Sequence, residues 1–592
     1  MKLLKITSLL AAAIIAGGAS AQNAKGGIDE AMLKEISASY KPTAAEKTLQ
    51  NIMLAQPIKT LSVNQENLSE LDTYFSHSVV SKGITNQESS GRCWLFTGMN
   101  VMRAKMIAEQ KLEGFEFSQI YNFFFDQLEK SNMFLQGIID TRKKPQDDRL
   151  VEWLFKNPLS DGGTFTGVAD LVAKYGIVPK DAMRETYTSN HTDAFNSLLK
   201  RKLREFGVRL RDAAARGAKE KELLDLKTEQ LKVVYKMLVQ VYGVPPTEFE
   251  WAPKDENGKY REAPQKYTPK SFYDKYIGID LQNDFVMLMN DPTRPYWKSY
   301  EIEFDRHTYD GHNWLYINLP LDEIKQMAIA SIKDSTMMYF SCDVGKYLDS
   351  KRGTLDIANY NYGELFGIDF TMDKRERVMT YDSGSSHAMT LKAVDIDENG
   401  KTTKWQVENS WGVASGYKGT LIMTDEWFNE YMFRLVVNKK YAPEKVLKIL
   451  EEKPTLLPAW DPMFTPEESE PPTAEGAGTK PYRAYCTLFF ITTSKRNYSF
   501  GVDYGQISNQ ENRILVNKDG ERYIFKSTMD AYNYMGKLGW EATDLKSSSP
   551  IEGYHKNNTT IEGYVIFTKM VTSDEEIARG FYTLADYERE NQ

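Results

Sequence analysis

NQESSGRCWLFTGMNVMRAKMIAEQ, residues 86–110, joins a polar, glycine-bearing loop to a run whose apolar residues fall at helical spacing. Phe96, Met99, Val101, Met102 and Met106 predict a buried helix that opens at Cys93. The start of a helix favours a thiolate, because its unsatisfied N–H groups carry positive partial charge. A cysteine standing alone in an apolar run is usually a small core hydrophobe. Here the loop that delivers the chain to the helix end makes Cys93 a candidate nucleophile. Gln87, six residues upstream, carries an amide able to donate to a developing oxyanion beside the Cys93 N–H.

A base for that thiol has to come from elsewhere, since such partners meet in space and not along the chain. His387 opens a β-type run, HAMTLKAV (387–394), just after a turn at Gly384. Asn409 follows 22 residues later in ENSWG (408–412). Its amide oxygen can accept from one imidazole N–H and so aim the other ring nitrogen at sulfur, while Trp411 keeps water away. The other histidines, His77, His191, His307, His312 and His555, show no metal-ligand spacing and receive no role. Cys342 and Cys486 lie in apolar, strand-like runs and read as structural, and an odd count of 3 cysteines spread over the chain excludes a disulfide framework.

Working outward, 117–136 reads as a second helix with an aromatic face. From 193 to 242 the stripe Leu199, Leu203, Phe206, Leu210 marks a helical insertion, taken as about 190–300. Its cations, Lys200, Arg201, Lys202, Arg204, Arg209, Arg211 and Arg216, read as a solvated helix face. β-Rich runs follow at 313–318, 337–342, 387–394, 404–409 and 419–423, so the body is α+β, with a helical half packed on a sheet half. FTPEESEPPTAEGAGTKPY (464–482) is an extended linker, and 483–592 is a separate small α+β domain with strands at 483–492 and 560–568 around a helix at 527–537.

The chain's 592 residues exceed what one core serves, and 41% apolar with 26% charged residues is the balance of a folded, soluble protein. Lys+Arg 74 against Asp+Glu 82 gives −8, which excludes a general attraction to nucleic acid. Residues 1–21, with Lys2 and Lys5, an apolar run from Ile6 to Ala16 and a small-residue cleavage site, predict a signal peptide. The protein is therefore expected to be exported, periplasmic or secreted, with no integral membrane segment after cleavage.

NQESSGRCWLF (86–96), SSHAMTLKAV (385–394) and WQVENSWG (405–412) resemble the Cys, His and Asn boxes of papain-like cysteine peptidases, in particular the bleomycin hydrolase and aminopeptidase C branch. DGGTF (161–165), FSCDVGK (340–346), MTDEWFNEYMF (423–433) and LLPAWDPM (456–463) are similar to that branch too. The resemblance covers about 50–463 and implies a two-lobed, papain-like peptidase domain over 22–463. It implies that Cys93 is the nucleophile, His387 the general acid/base, Asn409 the orienting residue and Gln87 the oxyanion donor. Gly162 and Gly163 would line the groove for substrate backbone. Peptides are the implied partners, no metal or organic cofactor is called for, and the branch's hexameric barrel is the implied homo-oligomer. Cys93 and His387 stand 294 residues apart, against roughly 130–150 in simple papain-like enzymes, which places the helical insertion between them.

In that branch the chain ends just past the equivalent of Met463, in the cleft, and thereby restricts cleavage to a peptide's amino end. Here 592 minus 463 leaves 129 further residues. Either Glu467, Glu468 or Glu470 then replaces the terminal carboxylate as the anion facing the substrate's α-ammonium, or the cleft is open enough for endopeptidase action. The expected activity is that of an aminopeptidase acting through a thioester acyl-enzyme. The alternatives are an endopeptidase or non-peptide amide hydrolase with the same residues, and an envelope binding or assembly protein working through the last domain.

Overall fold

The computed structural model describes residues 26–464 except 69, 70 and 256, and then 482–494, 497–503, 514–525, 528–542, 560–571, 577, 581 and 583–590. The expected signal peptide and residues 465–481 of the expected linker lie outside the described residues. The chain forms two units, a larger one of residues up to Gln87 with Gly91–Glu468, and a smaller one of Ser469–Gln592 with Glu88–Ser90.

In the larger unit, helices α1 (Cys93–Gln110), α2 (Gln119–Asp140) and α3 (Phe165–Tyr175) pack on one another, and α4 (Asp193–Ala215) and α5 (Glu220–Tyr242) pack on α2. The helical stretch read along 193–242 is thus split in two, with the stripe from Leu199 to Leu210 wholly in α4. Gly217 breaks the stretch at φ +92, with no atom within 4 Å of where a Cβ would stand; only glycine adopts that backbone without strain. Phe285–Met289 already belongs to the central sheet.

That sheet has twelve strands: β1 (His77–Ser78), β2 (Phe285–Met289), β3 (Lys298–Ile302), β4 (Leu315–Asn318), β5 (Met338–Cys342), β6 (Leu348–Asp349), β7 (Thr354–Leu355), β8 (His387–Ile396), β9 (Thr402–Glu408), β10 (Thr420–Thr424), β11 (Met432–Asn438) and β12 (Thr455–Leu457). Their order is β12-β3-β4-β2-β11-β5-β8-β9-β10-β7-β6, with β1 on β8. All five residues of the central β5 are buried, which accounts for its mostly apolar run. Two apolar cores result. Trp94, Phe123, Phe124, Leu199 and Leu238 belong to the one among the helices, and Phe340, Leu391, Trp405, Trp427 and Leu435 to the one on the sheet. The architecture is α+β and two-lobed. α1 lies against β8 and β5, at the seam of the lobes.

The smaller unit has a five-stranded antiparallel sheet in the order Ile524–Phe525, Asn497–Asp503, Tyr482–Ser494, Thr560–Val571, Glu541–Ala542, with a helix at Thr528–Lys537. Cys486, Leu488, Met535, Trp540 and Phe567 form its core, and burial pushes the Cys486 thiol up to about 12. Among the described residues, no helix is long and apolar enough to cross a membrane.

Candidate active site

Cys93 is the first residue of α1 and is fully buried. Arg92, the N-cap residue, makes no side-chain capping bond. Its guanidinium is buried and reaches Glu185 at 2.8 Å, over the rings of Phe96 and Phe123. Glu185 in turn accepts from the Ile120 N–H at 3.1 Å and the Ser189 hydroxyl at 2.6 Å. A buried charge persists only when it is paired and its donors are used, so Arg92 fixes where α1 begins. At the far side of the helix Arg103 pairs with Glu408 and donates to the carbonyls of Lys82 (3.3 Å) and Gly83 (3.1 Å). Both members of the pair are buried.

His387 is the first residue of β8 and pairs in register with Cys342 on β5, so Cys342 is buried sheet structure. The His387 Nε2 lies 2.9 Å from the Asn409 Oδ1, which also accepts from the Ser410 N–H at 2.8 Å. With Nε2 committed to the amide, Nδ1 is the ring nitrogen on the opposite side. Trp411 covers the imidazole at 4.7 Å between ring centroids. The loop before α1 is bound to the same segment: the Gln87 N–H donates to the Ser410 carbonyl at 2.8 Å, Gly412 N–H to the Thr85 carbonyl at 3.1 Å, and Asn86 bridges to Trp411. Ser410 Oγ donates to Gln87 Oε1 at 2.7 Å, which leaves the amide's Nε2 as the donor on the other side. Gln87, His387, Asn409 and Trp411 are therefore one connected cluster, and α1 packs against the strand that His387 opens.

Gly162 and Gly163 are buried on the loop leading into α3, and Trp94 Nε1 donates to the Asp161 carbonyl at 2.7 Å. The pair lies at one side of a cleft of about 420 Å³ whose wall includes Trp153, Phe304, Tyr381 and Trp460. The segment closing the cleft is strongly anchored. Arg294 pairs with Asp461, Arg434 donates to the Met463 carbonyl at 2.7 Å, and the Arg149 guanidinium stacks 4.2 Å from the centre of the Trp460 ring.

One buried group escaped the reading of the sequence. His307, given no role there, sits behind the glycine pair, 4.4 Å from Trp94 between ring centroids, with Asp126 and Lys130 of α2. Asp126 and Lys130 are four apart on the aromatic-faced helix, a charge pair on a face too apolar for solvent, and that was the available signal. His191 and His312 are exposed. The insertion's cations are not simply solvated either. Arg204 donates to the Phe155 carbonyl at 2.9 Å and Arg211 to the Lys144 carbonyl at 2.7 Å, so both close off neighbouring backbone.

A profile described as the Peptidase C1-like family matches residues 27–464. The chain is 40% identical over 425 residues to the bleomycin hydrolase of Homo sapiens, covering 70% of this chain and 93% of that one. It is 39% identical over 407 residues to the aminopeptidase C of Lactobacillus delbrueckii subsp. lactis, covering 68% and 90%. The solved structure of PepW from Lactobacillus rhamnosis HN001 superposes with a TM-score of 0.71 at 35% identity, over 75% of this chain and all of that one. The match runs from ahead of the helix that Cys93 opens to the anchored segment at Phe464, and the chain belongs to the peptidase C1-like family.

Proposed function

We propose that the protein is a cysteine aminopeptidase that releases N-terminal residues from peptides through a thioester. Relatives of the same length over this region are named aminopeptidase C and bleomycin hydrolase. The observation that carries the reading is the His387–Asn409 bond of 2.9 Å beside the amino end of α1. The Cys93 thiolate attacks the peptide carbonyl, and the oxyanion takes hydrogen bonds from Gln87 Nε2 and the Cys93 N–H. His387, held by Asn409, passes its proton to the leaving amine; it then takes one from the water that cleaves the thioester. Gly162 and Gly163 hold the substrate's backbone. The anchored segment from Trp460 to Phe464 bounds the groove and favours trimming from the amino end. Export follows from residues 1–21, whose removal as a signal peptide belongs to the same proposal.

Aminoacyl fluorogenic amides assayed beside N-terminally blocked peptides test this. Hydrolysis of the free-amine substrates alone, lost in Cys93→Ala, is the expected result. Cleavage of blocked peptides would establish the endopeptidase alternative, and activity surviving in Cys93→Ala would overturn the role of Cys93.

A further inference from the structure

The cluster of Asp126, Lys130 and His307 is the least expected feature of the helical lobe. All three side chains are buried, two of them on the aromatic face of α2. Burying charges costs several kcal/mol each unless every donor and acceptor is used, and an apolar trio of equal volume commonly serves stability as well. Lys130 has three ammonium protons and three acceptors: Asp126 at 2.9 Å, the Ser160 carbonyl at 3.0 Å and the Gly162 carbonyl at 2.6 Å. The other Asp126 oxygen lies 2.5 Å from His307 Nδ1, and His307 Nε2 accepts from the Thr164 N–H at 3.3 Å. The ring is thereby neutral and in one tautomer. Burial and the Lys130 charge both hold the imidazole below its ordinary value. Burial alone would raise Asp126, but the Lys130 and His307 partners hold it below the usual carboxylate range.

These bonds, with that of Trp94 to the Asp161 carbonyl, tie the loop at Ser160, Asp161, Gly162 and Thr164, and none of them uses the N–H or carbonyl of Gly163 itself. Space points the same way. A Cβ on Gly163 would lie 2.1 Å from His307 Cε1 and 2.7 Å from Trp94 Cδ2, so the two rings fill the room behind that peptide. We infer that Asp126, Lys130 and His307 are positioning residues for the peptidase reaction, a buried ionic brace that sets the Gly163 peptide and the Trp94 indole at the height where a substrate backbone docks beside Cys93. The inference rests on the groove assignment proposed above. It accounts for charges that stability alone does not require.

The test compares two alkylating agents on the full-length protein and on Lys130→Met and His307→Asn. An aminoacyl chloromethyl ketone must dock along the glycine wall to reach Cys93, whereas iodoacetamide need not. The expected result is a fall of about 10- to 100-fold in the chloromethyl ketone rate, the scale of an ångström-sized misplacement, with the iodoacetamide rate and its pH profile within about twofold of the parent. Lys130→Arg, which keeps the charge, should recover part of the loss. If both reagents slow in proportion, or if neither does, the brace has no positioning role. Should Lys130→Met fail to fold, His307→Asn, which keeps a donor toward Asp126, decides alone. A parent protein that hydrolyses no aminoacyl amide yet shows the same reagent split would overturn the proposed activity and leave the brace standing. A parent whose Cys93 reacts with neither reagent would overturn both.

Discussion

Arg103→Met should be one of the most destabilising single changes in the larger unit. The pair Arg103–Glu408 bridges α1 and the end of β9, and its side chains are 3% and 0% exposed. Removing the guanidinium leaves a carboxylate with no solvent and also strips donors from the Lys82 and Gly83 carbonyls. Breaking a buried pair costs about 3–5 kcal/mol, against a total domain stability of about 5–15 kcal/mol. Replacing both partners removes the stranded charge as well, so Arg103→Met/Glu408→Met should cost at most about 1–2 kcal/mol, less than either single change. Urea unfolding followed by tryptophan fluorescence reads the larger unit, because every tryptophan except Trp540 lies at or before Trp460. A single-variant cost below about 1 kcal/mol, or a double variant as unstable as the single, would refute the reasoning. Glu408 immediately precedes Asn409, so the surviving Arg103→Met protein should also lose turnover per folded molecule.

Asn409→Ala should lower kcat by about 100-fold or more, with little change in KM, since the imidazole loses the acceptor that orients it. Steady-state rates on an aminoacyl amide check it. Gln87→Ala should cost about 10²–10³ in kcat, as loss of one oxyanion donor does, and Ser410→Ala less, because it frees the amide without deleting it. Rates of the three variants at equal active-site titre rank them. In acid, His307 should weaken the fold: its folded-state value lies below the ordinary 6.5, so the unfolded chain takes up the proton first. Stability from this group is full above about 6.5 and is lost as pH falls below it, with a slope of up to about 1.4 kcal/mol per pH unit. Urea midpoints from pH 7 to 5 should fall less steeply in His307→Asn, and identical slopes would contradict the assignment.

Much of this fold is local and therefore visible in the residue order. The helix at 93–110 needs no partner to be recognised, because its apolar spacing and the loop before it are contained in one stretch. The runs beginning at Met337 and His387 appear as strands for the same reason, being short and mostly apolar. The helical insertion shows its stripe but not its break, since Gly217 turns the chain with nothing packed on it. β2, β3 and β11 were not read as strands. Met432–Asn438 directly follows the helix Asp425–Tyr431 with no turn residue between, and its strand character comes from pairing with β2 and β5.

Residue types and their spacing alone made Cys93 a candidate nucleophile, His387 its candidate base and Asn409 a candidate orienting amide, because the chemistry of a thiol, an imidazole and an amide belongs to each side chain. Only the tertiary structure decided that His307 stands behind Gly163, or that Arg103 meets Glu408. Those partners are separated by 144 and 305 positions, and no local spacing records which distant groups a closed core brings within hydrogen-bonding distance. Burial then turns such meetings into requirements: a charge shut away from water must find its partner or the fold that encloses it is lost.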